Sequence, residues 1–297
     1  MKNTVFKGSA VALITPFNAD GSINFEELGS LIEFQIAGGT DAILACGTTG
    51  EPATMNDAEH LSVIEYTVKR VAGRVPVIAG TGSNDTVHGI ALSRNAQKLG
   101  ADALLLVTPY YNKTTQRGLV AHFTATADAV EIPCILYNVP SRTGVNIAPE
   151  TLAELSNHPR IVGIKEASGD IAQAAKILAL CGDKIDVYSG NDDANVALLS
   201  LGAVGTISVL ANIAPQKTHD MVAQYLCGNT SAAAKLQLEA MELISALFCE
   251  VNPIPVKAAA AMMGFDTAVL RLPLCTISES GREKLRNAMI RYGLKVK

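Results

Sequence analysis

No two cysteines in this 297-residue sequence are spaced as C-x-x-C, although six are present, at 46, 134, 181, 227, 249 and 275. Cys46 and Cys134 fall inside apolar, strand-like runs. The six therefore read as reduced core or surface thiols, and the expected setting is cytoplasmic. Basic excess is also missing. The 24 Lys and Arg residues face 28 Asp and Glu, giving a net charge of -4 and a pI near 5.8. With no Lys/Arg cluster interleaved with aromatic residues, nucleic acid is not an expected partner. The histidines, at 60, 88, 122, 158 and 219, show no metal-ligand spacing. No acidic cluster resembles a magnesium cradle either, so neither a metal nor a cofactor is expected.

Membrane-spanning runs are absent as well. The stretch between Asp193 and Lys217 carries no charge, but Gly202, Gly205, Ser208, Asn212 and Pro215 interrupt it. That pattern suits a buried helix followed by a buried strand, and no membrane association is expected. The amino end has Lys2 and Lys7 and no apolar stretch before Gly8, so a signal peptide is not expected. What is present, 48% hydrophobic and 18% charged residues, suffices for one large buried core or two modest ones.

Short apolar, β-branched runs recur at 11–14, 42–45, 75–79, 103–107, 134–137, 161–164, 185–188 and 205–209. They are spaced by roughly 20 to 34 residues, room each time for a helix and two turns, which is the rhythm of βα units with parallel strands. Helical segments are expected between them at 25–37, 57–71, 85–99, 116–129, 149–156, 171–180 and 193–201. Asn24, Asn56, Asn84 and Thr115 are placed to cap helices, and Gly38, Gly73 and Gly100 to end them in the left-handed conformation. No G-x-G-x-x-G follows the first run, which argues against an open dinucleotide-binding sheet. The expected fold is thus an α/β (β/α)8 barrel over residues 1–225. A helical extension over 226–297 follows, with helices at 230–249, 255–263 and 278–293 after one at 218–227.

In such a barrel the reactive groups lie just after the strands, on the carboxyl-end face. Lys165 closes the run 161–164 and precedes Glu166-Ala167-Ser168-Gly169. It is either a Schiff-base nucleophile, its amine freed by burial, or a lysine that snorkels from a strand end into water. Gly47-Thr48-Thr49-Gly50-Glu51 offers hydroxyls and amides to a small carboxylate, or is simply a capped turn. Tyr137 either acts as a general acid/base or caps the core. Arg142, in Pro140-Ser141-Arg142-Thr143-Gly144, either clamps a carboxylate or is a solvated loop arginine. Their convergence on one face favours the functional readings. Lys257, far along in the helical tail, is expected at the surface or an interface.

These motifs, in this order, resemble the pyruvate-dependent class I aldolase and lyase superfamily, and within it the dihydrodipicolinate synthase family. The resemblance runs from Ala12-Leu13-Ile14-Thr15-Pro16-Phe17 through Thr108-Pro109-Tyr110-Tyr111-Asn112 and Gly163-Ile164-Lys165-Glu166-Ala167. It ends with Asn252-Pro253-Ile254-Pro255-Val256-Lys257 and Leu270-Arg271-Leu272-Pro273. It implies a lyase condensing pyruvate with L-aspartate 4-semialdehyde, the first committed step of lysine and diaminopimelate synthesis. Lys165 would form the imine, and Tyr137, Thr49 and Tyr111 would relay protons, Tyr111 coming from a neighbouring subunit of a homotetramer. Thr48, Thr49, Gly190 and Ile207 would form the pyruvate site, and Arg142 would receive the semialdehyde carboxylate.

The Ser141-Arg142 pair disfavours the superfamily's alternative, a retro-aldolase on a 2-keto-3-deoxy sugar acid. A third reading, a barrel that only senses a keto acid, would require a missing relay residue, and none is missing. The resemblance also implies an effector site at Ala53, His60, Asn84 and Tyr110. Asp57 and His88 depart there from the lysine-inhibited pattern, so weak or absent lysine inhibition is expected.

Overall fold

Eight parallel strands close into a barrel in sequence order in the computed structural model, which describes residues 4–297. Lys2 lies outside the described residues. The strands are β1 (Gly8–Ala12), β2 (Ala42–Ala45), β3 (Val77–Gly80), β4 (Ala103–Val107), β5 (Cys134–Asn138), β6 (Ile161–Glu166), β7 (Asp186–Ser189) and β8 (Gly205–Ser208). Around them lie α1 (Phe25–Ala37), α2 (Asp57–Val71), α3 (Thr86–Lys98), α4 (Gln116–Asp128), the short α5 (Pro140–Thr143), α6 (Pro149–Leu155), α7 (Ile171–Cys181), α8 (Asn195–Leu201) and α9 (Pro215–Leu226). The tail adds α10 (Thr230–Leu247), α11 (Ile254–Met263) and α12 (Glu279–Arg291). The expected barrel with its helical extension is the fold that forms.

Strands that are apolar throughout are explained by their two buried faces. In β4, Ala103 and Leu105 point into the barrel, where they meet Ile135, Tyr188 and Ile207. Leu104 and Leu106 point outward against the helices, in a core that continues through Leu243 and Val256 of the tail. The amino end of the barrel is shut by Tyr188, which stacks on Phe6 at 4.4 Å between ring centroids and donates its hydroxyl to the Phe6 carbonyl at 2.9 Å.

Local signals place most helices. Asn24 and Asn56 cap α1 and α2, the latter with Glu59 in a reciprocal capping box, and Thr115 caps α4. Two expectations shift by one residue. Asp85 rather than Asn84 caps α3, accepting from the Val87 and His88 amides, while Asn84 donates to the Tyr110 carbonyl at 3.2 Å. After α1 the left-handed glycine is Gly39, at φ +80°, because Gly38 at φ -83° still donates its N–H inside the last turn. The run at 11–14 becomes β1 from Gly8, since Gly8 is already in register with Gly205 of β8. The helix expected at 193–201 splits into a tight turn at Asp192–Ala194 and α8. Among the described residues no helix is long and apolar enough to cross a membrane.

Candidate active site

Lys165 lies within β6 rather than after it, and is the register partner of Tyr137 on β5 and of Tyr188 on β7. Register partners on adjacent strands point to the same face. Both side chains therefore point into the barrel, with the Lys165 Nζ 4.5 Å from the centroid of the Tyr137 ring. Above them opens a cavity of about 470 Å³ lined by Thr48, Thr49, Tyr137, Arg142, Lys165 and Gly190 among others. Two expected residues are not part of that wall. Ile207 is fully buried in the barrel interior beside Tyr137 and Ala167. Tyr111, held at φ +69°, is 91% exposed.

The electrostatics separate these two side chains. Burial pulls the Lys165 amine down to about 8, with the Arg142 charge pushing the same way and Asp192 opposing both. Asp192 is itself buried, which raises its pKa against hydrogen bonds from Ser208, the Leu210 and Val209 amides and Asn195. The Tyr137 phenol is raised by burial, although Arg142 and a hydrogen bond with Thr48 pull it back. One side chain is thus tuned towards a free amine and its neighbour towards a phenol that keeps its proton. Gly190 leaves the amine room: a Cβ there would come within 3.1 Å of Lys165 Cε and 2.7 Å of Ala167 Cβ.

The loop carrying Thr48 and Thr49 is held from three sides. Thr15 donates its hydroxyl to the Gly50 carbonyl at 2.8 Å, and Asn252 Nδ2 donates to Thr49 Oγ1 at 3.0 Å. Glu51, in the left-handed conformation at φ 57°, pairs with Lys257 at 2.7 Å. This corrects the expectation of a surface Lys257. It is wholly buried, donates also to the Val269 carbonyl at 2.5 Å and lies 4.4 Å over the Phe17 ring. A buried ammonium is tolerable because a carboxylate and a carbonyl share its charge.

Sequence reasoning assigned no place in the site to three contributors to the cavity. Asp192 lies in the loop after β7, and Asn252 precedes α11. The tail supplies the outer wall, with Met241, Ile244 and Ser245 on α10 and Phe248 just beyond it. Asp192 follows the apolar run of β7 in Ser189-Gly190-Asn191-Asp192, one of the strand-end segments on the expected face, where nothing local marks it as a neighbour of Lys165.

A second cavity of about 390 Å³ adjoins the first, sharing Thr48, Tyr137, Arg142 and Asn252 and reaching Ala53, His60, His88 and Tyr110. Asn84 is not part of its wall, although it donates to the Tyr110 carbonyl. His60 shares a 2.8 Å hydrogen bond with the Gly80 carbonyl, and burial lowers its pKa. His88 Nε2 meets Asp57 at 2.9 Å.

Residues 5–291 match the dihydrodipicolinate synthetase family. A 4-hydroxy-tetrahydrodipicolinate synthase of Caldicellulosiruptor saccharolyticus is 60% identical over 293 residues, 99% of each chain. The solved structure of the chloride-inhibited dihydrodipicolinate synthase from Acinetobacter baumannii, complexed with pyruvate, superposes with a TM-score of 0.96 at 46% identity, covering 98% of this chain and 100% of that one. The dihydrodipicolinate synthase from Aquifex aeolicus superposes equally well, at 44% identity over 98% and 100% of the two chains.

Proposed function

The chain belongs to the dihydrodipicolinate synthetase family, and from that membership we propose that Lys165 carries the family's reaction as a Schiff-base nucleophile. The activity is that of a 4-hydroxy-tetrahydrodipicolinate synthase, a lyase of lysine and diaminopimelate synthesis whose substrates are pyruvate and L-aspartate 4-semialdehyde. The observation that carries the role of Lys165 is its buried amine, brought to about 8, set 4.5 Å over the Tyr137 ring at the mouth of the barrel. Roughly one such amine in ten is unprotonated at pH 7, against about one in three thousand for an ordinary lysine.

The free amine attacks the keto carbon of pyruvate, and water leaves as the imine forms. Thr48 and Thr49 hold the pyruvate carboxylate by their hydroxyls and amides. Removal of a methyl proton gives an enamine, whose carbon bonds the aldehyde carbon of the second substrate. The proton passes through Tyr137, Thr49 and Tyr111 to the new alkoxide oxygen. The substrate amine then closes on the imine carbon, the bond to Lys165 breaks, and the lysine amine is regenerated. Arg142, at the mouth of the cavity, takes the semialdehyde carboxylate in a charge-assisted contact.

Tyr111 reaches the relay from a neighbouring copy in a homotetramer built of two tight dimers. Its 91% exposure in the single chain supports that reading. Borohydride reduction in the presence of pyruvate tests the core of the proposal. It will trap one pyruvate adduct, mapped by mass spectrometry to Lys165, and the untreated enzyme will consume aspartate semialdehyde. An unlabelled Lys165 would sink the assignment, and a native mass of a monomer would sink the shared site.

A further inference from the structure

We propose that Glu166 is a positioning residue, which braces the Lys165–Tyr137 pair from the outer face of the barrel through Asn138. That role rests on the Schiff-base reading above and extends it to a residue that never touches substrate. Glu166 and Asn138 are register partners one step beyond Lys165 and Tyr137, so they face outward where the reactive pair faces inward. Both are buried, and neither lines the cavity. Asn138 Nδ2 donates to Glu166 Oε2 at 3.0 Å, Gln173 Nε2 on α7 donates to the same oxygen at 3.3 Å, and the Ser168 amide donates to Oε1 at 2.7 Å. Asn138 is itself anchored, its Oδ1 accepting the Ile147 amide at 3.0 Å.

The strand pairing shows why a brace is needed there. Cys134 of β5 pairs with Ile161 of β6 and Ile135 with Gly163, which leaves Val162 as an extra residue. Beyond such a bulge the register is held by local contacts, and a slip of one residue would turn Lys165 out of the barrel and Glu166 into it. The chemistry of the contacts agrees. All three donors to Glu166 are uncharged, and a buried carboxyl met only by neutral groups adds little net stability. What it adds is direction, since donors on both oxygens fix the side chain in one place. The Glu166 carbonyl extends the brace to the third strand end, accepting the Gly190 amide at 2.8 Å beside the point where a Cβ would crowd Lys165. Its charge is not the agent, because the lowering of the Lys165 amine comes from burial and is modified by Asp192 and Arg142.

Three substitutions separate position from charge. Glu166→Gln keeps an oxygen towards Asn138 and Gln173 and gives up the Ser168 contact. Glu166→Asp keeps the charge but, one methylene shorter, loses its reach to Asn138, and Glu166→Ala loses everything. Misplacing a reacting pair by a fraction of an ångström is costly, so kcat will fall at least about thirtyfold in the Ala and Asp variants, and the Gln variant will recover at least about tenfold of that loss. KM for pyruvate will stay within about threefold, because the Thr48-Thr49 loop is tied elsewhere. The acid limb of the Gln variant will lie at the pH of the parent's. An Asp variant more active than the Gln variant, or a Gln limb displaced to lower pH, would show that the charge acts and would overturn the proposal. So would an unchanged kcat beside a lowered urea midpoint, the mark of a structural role alone. A loss confined to KM for aspartate semialdehyde overturns it too, by placing the effect on the Arg142 loop. Should Glu166→Ala fail to fold, the order of the Gln and Asp variants decides. Pyruvate trapping in the unsubstituted enzyme reports on the Schiff base alone, so the two readings fail separately.

Discussion

Lys165 and Lys257 are both buried lysines, and burial lowers the pKa of each. Their surroundings differ. Lys257 gives its charge to Glu51 at 2.7 Å and to the Val269 carbonyl, with no exposed side-chain surface on either ionic partner. Lys165 faces an aromatic ring and a cavity, and among the described residues it forms no ion pair; Asp192 acts on it only as a field that Arg142 partly cancels. Burial alone does not make a nucleophile. A buried amine becomes reactive when its neighbours decline to take its charge, and structural when they accept it.

The contrast breaks most visibly by substitution. Lys165→Met will abolish the borohydride adduct and lower kcat by at least about a thousandfold. Because it removes an amine with no carboxylate partner, it will move unfolding stability by no more than about 1 kcal/mol. Lys257→Met will do the reverse. It keeps the adduct but strands a buried carboxylate, at a cost of about 3–5 kcal/mol by urea unfolding. Adding Glu51→Gln to Lys257→Met will recover most of that loss, to within about 1–2 kcal/mol of the parent. A Lys257→Met variant as stable as the parent would show that Glu51 and Lys257 do not hold the Thr48-Thr49 loop.

The same contrast marks what sequence reading could reach. The barrel was legible because eight apolar runs and their helices repeat at short range, and parallel strands must be covered on both faces. Lys165, Tyr137, Thr48, Thr49 and Arg142 were legible because each lies at or just after the carboxyl end of a strand, and the topology brings strand ends together. Lys257 was misread because its partner is 206 residues away, and no local pattern reports an ion pair at that range. A signal did exist. Lys257 is the only charged residue in Ile254–Met263, a helix otherwise apolar, where a lone charge points to a buried partner. Asn252 and the wall built by α10 stayed hidden for the same reason of distance. The pKa of Lys165 depends on Asp192 and Arg142, which meet it only in three dimensions.

Smaller effects sharpen the contrast by changing the field around Lys165 without touching it. Activity will rise with pH through an acid limb near 8, as the ammonium gives up its proton. Removing the Arg142 charge, as in Arg142→Leu, withdraws a repulsion that favours the free amine, so the limb moves to higher pH. The same variant will raise KM for aspartate semialdehyde by about 10–100-fold through loss of a charge-assisted contact. Asp192→Asn withdraws an attraction that favours the ammonium, so its limb moves to lower pH, while the asparagine can still accept from the Val209 and Leu210 amides. Limbs moving in the same direction in both variants would show that field effects do not set this pKa.

The smallest effect concerns an ammonium that arrives from solution. Free lysine entering the second cavity brings a charge that, like that of Lys257, needs a carboxylate to receive it. Glu51 lines that cavity but is committed to Lys257, and Asp57 is engaged by His88, whose other ring nitrogen meets Ser83 at 3.1 Å. Neutral groups such as Thr48, Thr54 and Tyr110 remain as polar contacts, and neutral groups alone leave an ammonium poorly compensated once it is withdrawn from water. Sub-millimolar lysine will therefore leave the initial rate nearly unchanged, while His88→Glu, which adds a carboxylate to that wall, will make the enzyme measurably more sensitive. Half-inhibition of the unsubstituted enzyme by sub-millimolar lysine would mean that the Asp57–His88 pair opens to release its carboxylate, and that a partner already taken can still be shared.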